Sequence, residues 1–397
     1  MRTTRRSGIG QERLRRHNLS QLLSHVHVSG PTSRSELTAA LGVNRSTIGD
    51  LTGQLAEYGL VDEEQPGSAR RSGRPSLLVV PRSDVAVVAV DLSVDRIDAA
   101  LVALGGRVLE RRRRRHQRGE HDVEHVTETV AQLTEEILGQ HPAVHCVGIG
   151  VSLAGAVRLG DGLVRFAPNL GWVDAPFAGL LSKRLGRPVT AGNDANLGVL
   201  AEHLRGAAVG YQDVAYLSGS VGIGGGFLVG GVPLTGSEGF AGEIGHILVD
   251  RQGPPCRCGN AGCWEVMAGE NALLTGAGRL PGGGPDAVAE VIAAAAEGDA
   301  RAQQSLHEVA EWTGVGLRTV VNLFNPEIVV VGASLAQVFA AAEEQVLEAM
   351  RQTIPPMSEL LVRAAGLGQD SSLIGAAERA FSPLLSAPFP VRGRAAR

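Results

Sequence analysis

One imidazole and three thiols lie close together in this chain: His246, then Cys256, Cys258 and Cys263. They include three of the only four cysteines among 397 residues. Three thiolates and an imidazole nitrogen make a complete tetrahedral donor set for a structural zinc, and the glycines between them permit the tight turns of such a knot. The other reading of clustered cysteines is one disulfide with a thiol left over. The odd count fits that poorly, and so does an N-terminus without the apolar segment of a secretory leader. Zn2+ is therefore the expected cofactor. Glu243 and Glu265 flank the knot, and carboxylates pinned by a metal suit the wall of a small-molecule pocket. A second group, Gly192-Asn193-Asp194-Ala195-Asn196, adds a carboxylate and two amides. Asx residues beside glycine are also ordinary turn chemistry. With Glu243, His246 and Glu265, however, they form a set suited to the vicinal hydroxyls of a pyranose.

An α/β frame is predicted to hold these residues. Segments 84–92, 96–104 and 106–114 are expected as three consecutive strands, followed by a helix near 121–139 and a buried strand at 144–152. Cys146 falls in that last strand as a small core residue. The pattern starts again at 212–218 and 223–229. The run Arg111 to Arg115 is expected to be a solvated sheet edge that discourages unwanted pairing, rather than a nucleic-acid surface. No apolar run reaches the eighteen residues of a membrane span, so no membrane partner and a cytoplasmic location are expected.

The first 82 residues differ in character. They hold 12 arginines against 7 acidic residues, a net +5, while the whole chain carries −4. Apolar residues at Leu14, Leu19, Leu22, Leu23 and Val26 follow a helical spacing, and Ser29-Gly30-Pro31 breaks it. Ser33 with Glu36 forms a capping box for a second helix whose Leu37, Ala40 and Leu41 face inward. Gly42 gives the turn, and Asn44 caps a third helix carrying Ile48, Leu51, Leu55 and Ala56. Two short helices about a glycine turn are the helix-turn-helix pattern. A hairpin follows, from Leu60-Val61 to Leu77–Val80, with Arg70, Arg71 and Arg74 in its loop, as in a winged helix-turn-helix. The candidate DNA contacts are Arg34, Asn44, Arg45, Ser46 and Thr47 near the recognition helix, together with Arg70, Arg71 and Arg74.

Glu-x-Gly-His followed by Cys-x-Cys-Gly-x-x-Gly-Cys-x-Glu resembles the signature of the ROK family of repressors and sugar kinases. The basic hairpin ending in Gly73-Arg74-Pro75 resembles the N-terminal domain of that family's repressors. The resemblance implies a duplicated ribonuclease-H-like body of the actin and sugar-kinase type behind a winged helix-turn-helix. It implies zinc ligation by His246, Cys256, Cys258 and Cys263, and sugar contacts from Gly155, Asn193, Asp194, Glu243, His246 and Glu265. Asn169 is a further candidate contact. Asp194 matches the kinase base but is assigned to ligand binding. Where ROK kinases carry Asp-x-Gly-Gly-Thr, this chain has Asp91-Leu92-Ser93-Val94-Asp95, and in the second phosphate loop Val221 stands in place of threonine. Both glycines and the hydroxyl are lost, and a carboxylate faces a polyanion.

The expectation is thus a sugar-responsive transcriptional regulator, a repressor of carbohydrate genes, with an ATP-dependent sugar kinase as the alternative. Its partners would be double-stranded operator DNA, a sugar or sugar-phosphate effector, and further copies of itself in a dimer or tetramer. The expected divisions are a winged helix-turn-helix at 1–82, lobes at 83–193 and 194–385, and a mobile tail from 386.

Overall fold

The computed structural model describes residues 4–65, 76–115, 119, 122–351 and 360–391, with side chains from Glu12 onward. The chain opens with helix α1 (Thr4–Ser29), then β1 (Thr32–Ser33), α2 (Arg34–Leu41), α3 (Arg45–Glu57), β2 (Val61–Glu64) and β3 (Leu78–Pro81). Ser33 and Glu36 form a reciprocal capping box on α2, and Gly42 ends that helix at φ 65, a left-handed turn that favours glycine. Asn44 caps α3. Leu22, Leu23 and Val26 of α1 pack with Leu37, Ile48, Leu51 and Leu55, whereas Leu14, Ala40 and Ala56 face solvent. Fully burying each such aliphatic side chain contributes roughly 1.5–3 kcal/mol. Strands β2 and β3 pair antiparallel, with β1 on the other side of β3. The wing arginines Arg70, Arg71 and Arg74 lie outside the described residues.

The first lobe contains β4 (Val85–Leu92), β5 (Arg96–Ala103), β6 (Val108–Arg115), α4 (Val123–Gln140) and β7 (His145–Leu153). A small sheet of β8 (Ala156–Val157), β9 (Val164–Ala167) and β10 (Trp172–Ala175) follows, then α5 (Phe177–Leu185), β11 (Val189–Asn193) and α6 (Asp194–Arg205). The second lobe has β12 (Val214–Gly219), β13 (Ile223–Val229), β14 (Val232–Pro233), α7 (Trp264–Ala268), α8 (Glu270–Gly276), α9 (Gly284–Ala296) and α10 (Ala300–Phe324). It ends with β15 (Ile328–Gly332), α11 (Ala333–Ala341), α12 (Glu343–Met350), β16 (Leu361–Ala364) and α13 (Ser371–Ser386).

The two large sheets repeat one topology. The first runs β11-β7-β4-β5-β6 and the second β16-β15-β12-β13-β14. In each, an antiparallel meander is extended by two parallel strands. This is the duplicated ribonuclease-H-like arrangement. Strand β4, VAVVAVDL, is buried along its whole length, as a central strand covered on both faces must be. Strand β6 lies at the edge, and its arginines are paired: Arg111 with Asp370, Arg113 with the buried Asp98 of β5, and Arg114 with Glu136.

Two features depart from a simple division of the chain. Helix α13 returns from the second lobe and buries Leu373, Ala376, Ala377 and Phe381 with Val85, Val87 and Ala89 of the first sheet. That same core continues into α1 and α3, so the N-terminal module is packed on the body rather than tethered to it. Within the expected tail, the Val391 backbone N–H donates to Tyr58 O at 3.0 Å and Val391 packs against the shared core, while residues 392–397 lie outside the described residues.

Candidate functional site

The 3-10 turn Ile244–His246 and the loop leading into α7 bring His246, Cys256, Cys258 and Cys263 together, with one donor atom from each within 4.8 Å of all the others. Cys258 and Cys263 Sγ are 3.5 Å apart, and Cys256 Sγ is 3.7 Å from His246 Nδ1. A disulfide needs about 2.05 Å, so these thiols are not bonded. A tetrahedron with metal–sulfur bonds of about 2.3 Å has edges of about 3.8 Å, close to both separations. The donor set therefore fits a tetrahedral metal ion such as zinc. The Asn260 backbone N–H pulls the Cys258 thiol down to about 7, whereas burial pushes Cys256 and Cys263 up. Glu265 joins the knot to the pocket wall: its Oε1 accepts from Cys256 Sγ at 3.0 Å and lies 3.5 Å from His246 Nδ1.

Asp194 opens α6, near enough to Glu243 of this wall for their charges to act on each other. Burial first, then the Asp91 carboxylate, push Asp194 up to about 7, and Glu243 adds to the rise. Glu243 is itself raised by desolvation and by Glu265, against the opposing pull of His246. These shifts mark carboxylates gathered in one place. Asn193 is engaged structurally. Its Oδ1 accepts the Ala195 and Asn196 N–H groups as the cap of α6, and its Nδ2 donates to Gly155 O at 3.1 Å. Gly155 is required there, because a Cβ would stand 2.6 Å from Phe166 O. Asn169 accepts at 3.1 Å from Arg257, which projects from the cysteine knot.

The glycines of Ser220-Val221-Gly222-Ile223-Gly224-Gly225-Gly226 have a packing cause. A Cβ on Gly226 would meet Ala195 O of α6 at 2.2 Å, and one on Gly222 would meet Glu265 Oε2 at 2.2 Å. The run lets α6 and the Glu243–His246 turn close onto β13, which brings both halves of the candidate set to one place. Beside them lies an open cleft, lined in part by Asp91, Asp95, Asp194, Val221, Glu270 and Ser334. The acidic character contributed by Glu270 was not read from the sequence; its only signal there was a carboxylate at a helix start.

In the N-terminal module Arg45 and Ser46 are exposed at the start of α3, and Thr47 is half-buried. Asn44 is occupied as the cap, accepting from the Thr47 N–H at 2.8 Å and from Ser46 Oγ at 2.7 Å. Arg34 is turned to the wing, donating to Glu63 of β2 at 2.7 and 2.9 Å.

The sequence model of the ROK family matches residues 87–381. A xylose repressor of Caldicellulosiruptor bescii is 31% identical over 376 residues, 90% of this chain and 93% of its own length. A glucokinase of Thermotoga maritima is 29% identical over 311 residues, 73% of this chain and 96% of its own. Among solved structures, a ROK family transcriptional regulator homologous to the E. coli Mlc protein aligns with a TM-score of 0.78 at 25% identity, covering 94% of this chain and 97% of that one. A ROK glucokinase from Streptomyces griseus, in complex with glucose and AMPPNP, aligns with a TM-score of 0.65 at 29% identity over 75% of this chain and 99% of its own.

Proposed function

This chain belongs to the ROK family, and from that premise we propose that it is a sugar-responsive, DNA-binding transcriptional repressor. The observation that carries the reading is the N-terminal module. The match to a repressor extends over 90% of the chain, while the glucokinase match leaves about a quarter of it uncovered. The ROK family model begins at residue 87, and the basic segment before it reads as a helix-turn-helix with a wing.

In this reading residues 1–82 bind operator DNA. Arg45, Ser46 and Thr47 enter the major groove, and the wing arginines Arg70, Arg71 and Arg74 track phosphates or the minor groove. Arg34 braces the wing through Glu63, and Asn44 sets the start of α3. The sugar lies between Asp194 and the wall of Glu243, His246 and Glu265. Its hydroxyls donate to the carboxylates, and His246 presents the ring nitrogen not given to the metal. Gly155 and Asn193 hold the floor. Zinc on His246, Cys256, Cys258 and Cys263 orders that wall, so its loss weakens both sugar binding and the fold. Sugar favours one arrangement of the lobes and so shifts DNA affinity. Paired copies of the chain would match a palindromic operator.

The kinase reading has support in the glucokinase relatives and in a retained Asp194. The cleft argues against it: Ser93, Val94 and Asp95, standing where kinases carry Gly-Gly-Thr, line the space where polyphosphate would need cations and backbone N–H groups. The deciding experiment titrates promoter DNA with zinc-loaded protein across D-xylose, D-glucose and their phosphates, without ATP, beside an assay for sugar-dependent ADP release. A sugar that changes DNA affinity supports the regulator. ADP release abolished by Asp194→Asn, with no DNA response, supports the kinase.

A further inference from the structure

Helix α6 begins in the cleft and ends against the N-terminal module. Its first residue is Asp194, and its last, Arg205, meets groups from three other segments. Arg205 Nε donates to Glu378 Oε1 of α13 at 2.6 Å, and Nη2 donates to the His27 carbonyl of α1 at 3.0 Å. Nη1 donates to Gly105 O, in the turn after β5, at 3.3 Å. His27 is fully buried. Its Nδ1 accepts the Gly105 backbone N–H at 3.0 Å, so Nε2 carries the ring proton and donates it to Glu378 Oε2 at 2.8 Å. The approach of Arg205 Nη2 to Nε2, at 2.9 Å, is then a packing contact. Burial raises the Glu378 carboxyl, but the His27 hydrogen bond and the Arg205 guanidinium outweigh it and hold the group ionised.

A second tie lies one turn earlier. Glu202, fully buried on α6, accepts the Gly366 and Leu367 backbone N–H groups and the Ser371 hydroxyl, which fixes the start of α13. Helix α13 packs in turn on the first sheet and against α1. The cleft, both lobes and the DNA-binding module therefore meet on one twelve-residue rod, about 18 Å long.

We propose that α6 is the transmission element of this protein: occupancy at its Asp194 end is passed to the N-terminal module through a latch of Arg205, Glu378 and His27. The proposal rests on the sugar-responsive reading above. A buried charged cluster cannot stretch gradually, because a guanidinium that leaves its carboxylate in a dry contact must be rehydrated. The latch is thus either made or broken, as a switching element requires. Movement of α6 against α13 carries Arg205 off the His27 carbonyl and reseats α1, the first helix of the DNA-binding module.

The test uses the full-length, zinc-loaded protein with Arg205→Met and Arg205→Lys. Sugar binding is read by calorimetry with D-xylose and D-glucose. DNA binding is read by anisotropy, with and without sugar, on a duplex selected by the wild-type protein from a random pool. In the wild type, sugar changes DNA affinity by a factor of about 5–150. Arg205→Met keeps the sugar Kd within about two-fold while that factor falls below about two; Arg205→Lys lies between. A folded Arg205→Met protein with the wild-type factor overturns the latch. If wild-type DNA affinity ignores both sugars, it is the sugar-responsive reading that fails. The latch is then judged by hydrogen exchange: Arg205→Met must speed exchange in residues 25–29 and in α13 together, and unchanged exchange overturns it.

Discussion

Replacing Glu202 should destabilise the protein more than any other single polar change in the body. The carboxylate is fully buried and accepts four hydrogen bonds. Oε1 takes the Leu367 N–H at 3.0 Å and Ser371 Oγ at 2.7 Å; Oε2 takes the Ala207 N–H at 2.7 Å and the Gly366 N–H at 2.9 Å. In Glu202→Ala the Ser371 hydroxyl still reaches Gly368 O and the Gly366 N–H lies at an exposed residue, so the half-buried Leu367 and Ala207 N–H groups bear most of the loss. A buried unsatisfied donor costs about 1–3 kcal/mol, and water entering the vacated space recovers part, so a net loss of about 3 kcal/mol is expected. Glu202→Gln keeps the shape but turns an N–H donor toward N–H donors, and should cost about 2–3 kcal/mol. A domain has only about 5–15 kcal/mol to lose. The assay is urea unfolding followed by tryptophan fluorescence and far-UV circular dichroism together, with the midpoint shift read at unchanged slope. A Glu202→Ala midpoint within about 1 kcal/mol of wild type would refute the reasoning, since the Leu367 and Ala207 donors would then have been re-satisfied at almost no cost.

Three further outcomes are expected. Cys263→Ser should lower bound zinc, measured by elemental analysis, from near one per chain to well under one, with a fall in melting temperature. Arg45→Ala should weaken DNA binding and reduce the slope of log affinity against log salt by about one if the contact is a phosphate, whereas Arg34→Ala should act through wing stability and leave that slope nearly unchanged. Asp194 binds its proton more tightly when folded than unfolded, so its ionisation opposes folding increasingly as pH rises from about 4 to about 7. Asp194→Asn should therefore raise the melting temperature at pH 8, by a stability gain on the order of 2 kcal/mol, and change it little at pH 4; a gain at pH 4 as large as that at pH 8 would contradict this.

Local structure was legible where its cause is local. The Ser33–Glu36 box, the Gly42 turn, the Asn44 cap and the strand pattern of the body all reappear, because capping and alternation depend on neighbours a few residues apart. The metal donor set was legible because thiols are few and spaced for one ion. Long-range partners were not. His27 and Glu378 are 351 residues apart, and nothing around either one announces the other. Glu202 reads as an ordinary polar position on a helix until the chain beyond Leu361 returns to it. Asn193 matched a sugar contact by its neighbours; that its Oδ1 also caps α6 and one of its two amide N–H groups holds Gly155 O could not be read from them. The Gly224–Gly226 run suggested a phosphate loop because backbone crowded by backbone and backbone open to an anion ask for the same residue.

The shared core beneath α1, α3 and α13 has a consequence for how DNA could be read. A reading head on a flexible tether can reach half-sites at various separations. Here the head is packed on its chassis, so in a paired assembly, for a given sugar state, the distance between two α3 helices is set by the body. Inserting half a helical turn, about five base pairs, between half-sites would rotate one of them to the far side of the duplex. Among the described residues the head packs directly on the body, leaving little slack to absorb that rotation, and the genome would be searched with a caliper whose setting follows the sugar state.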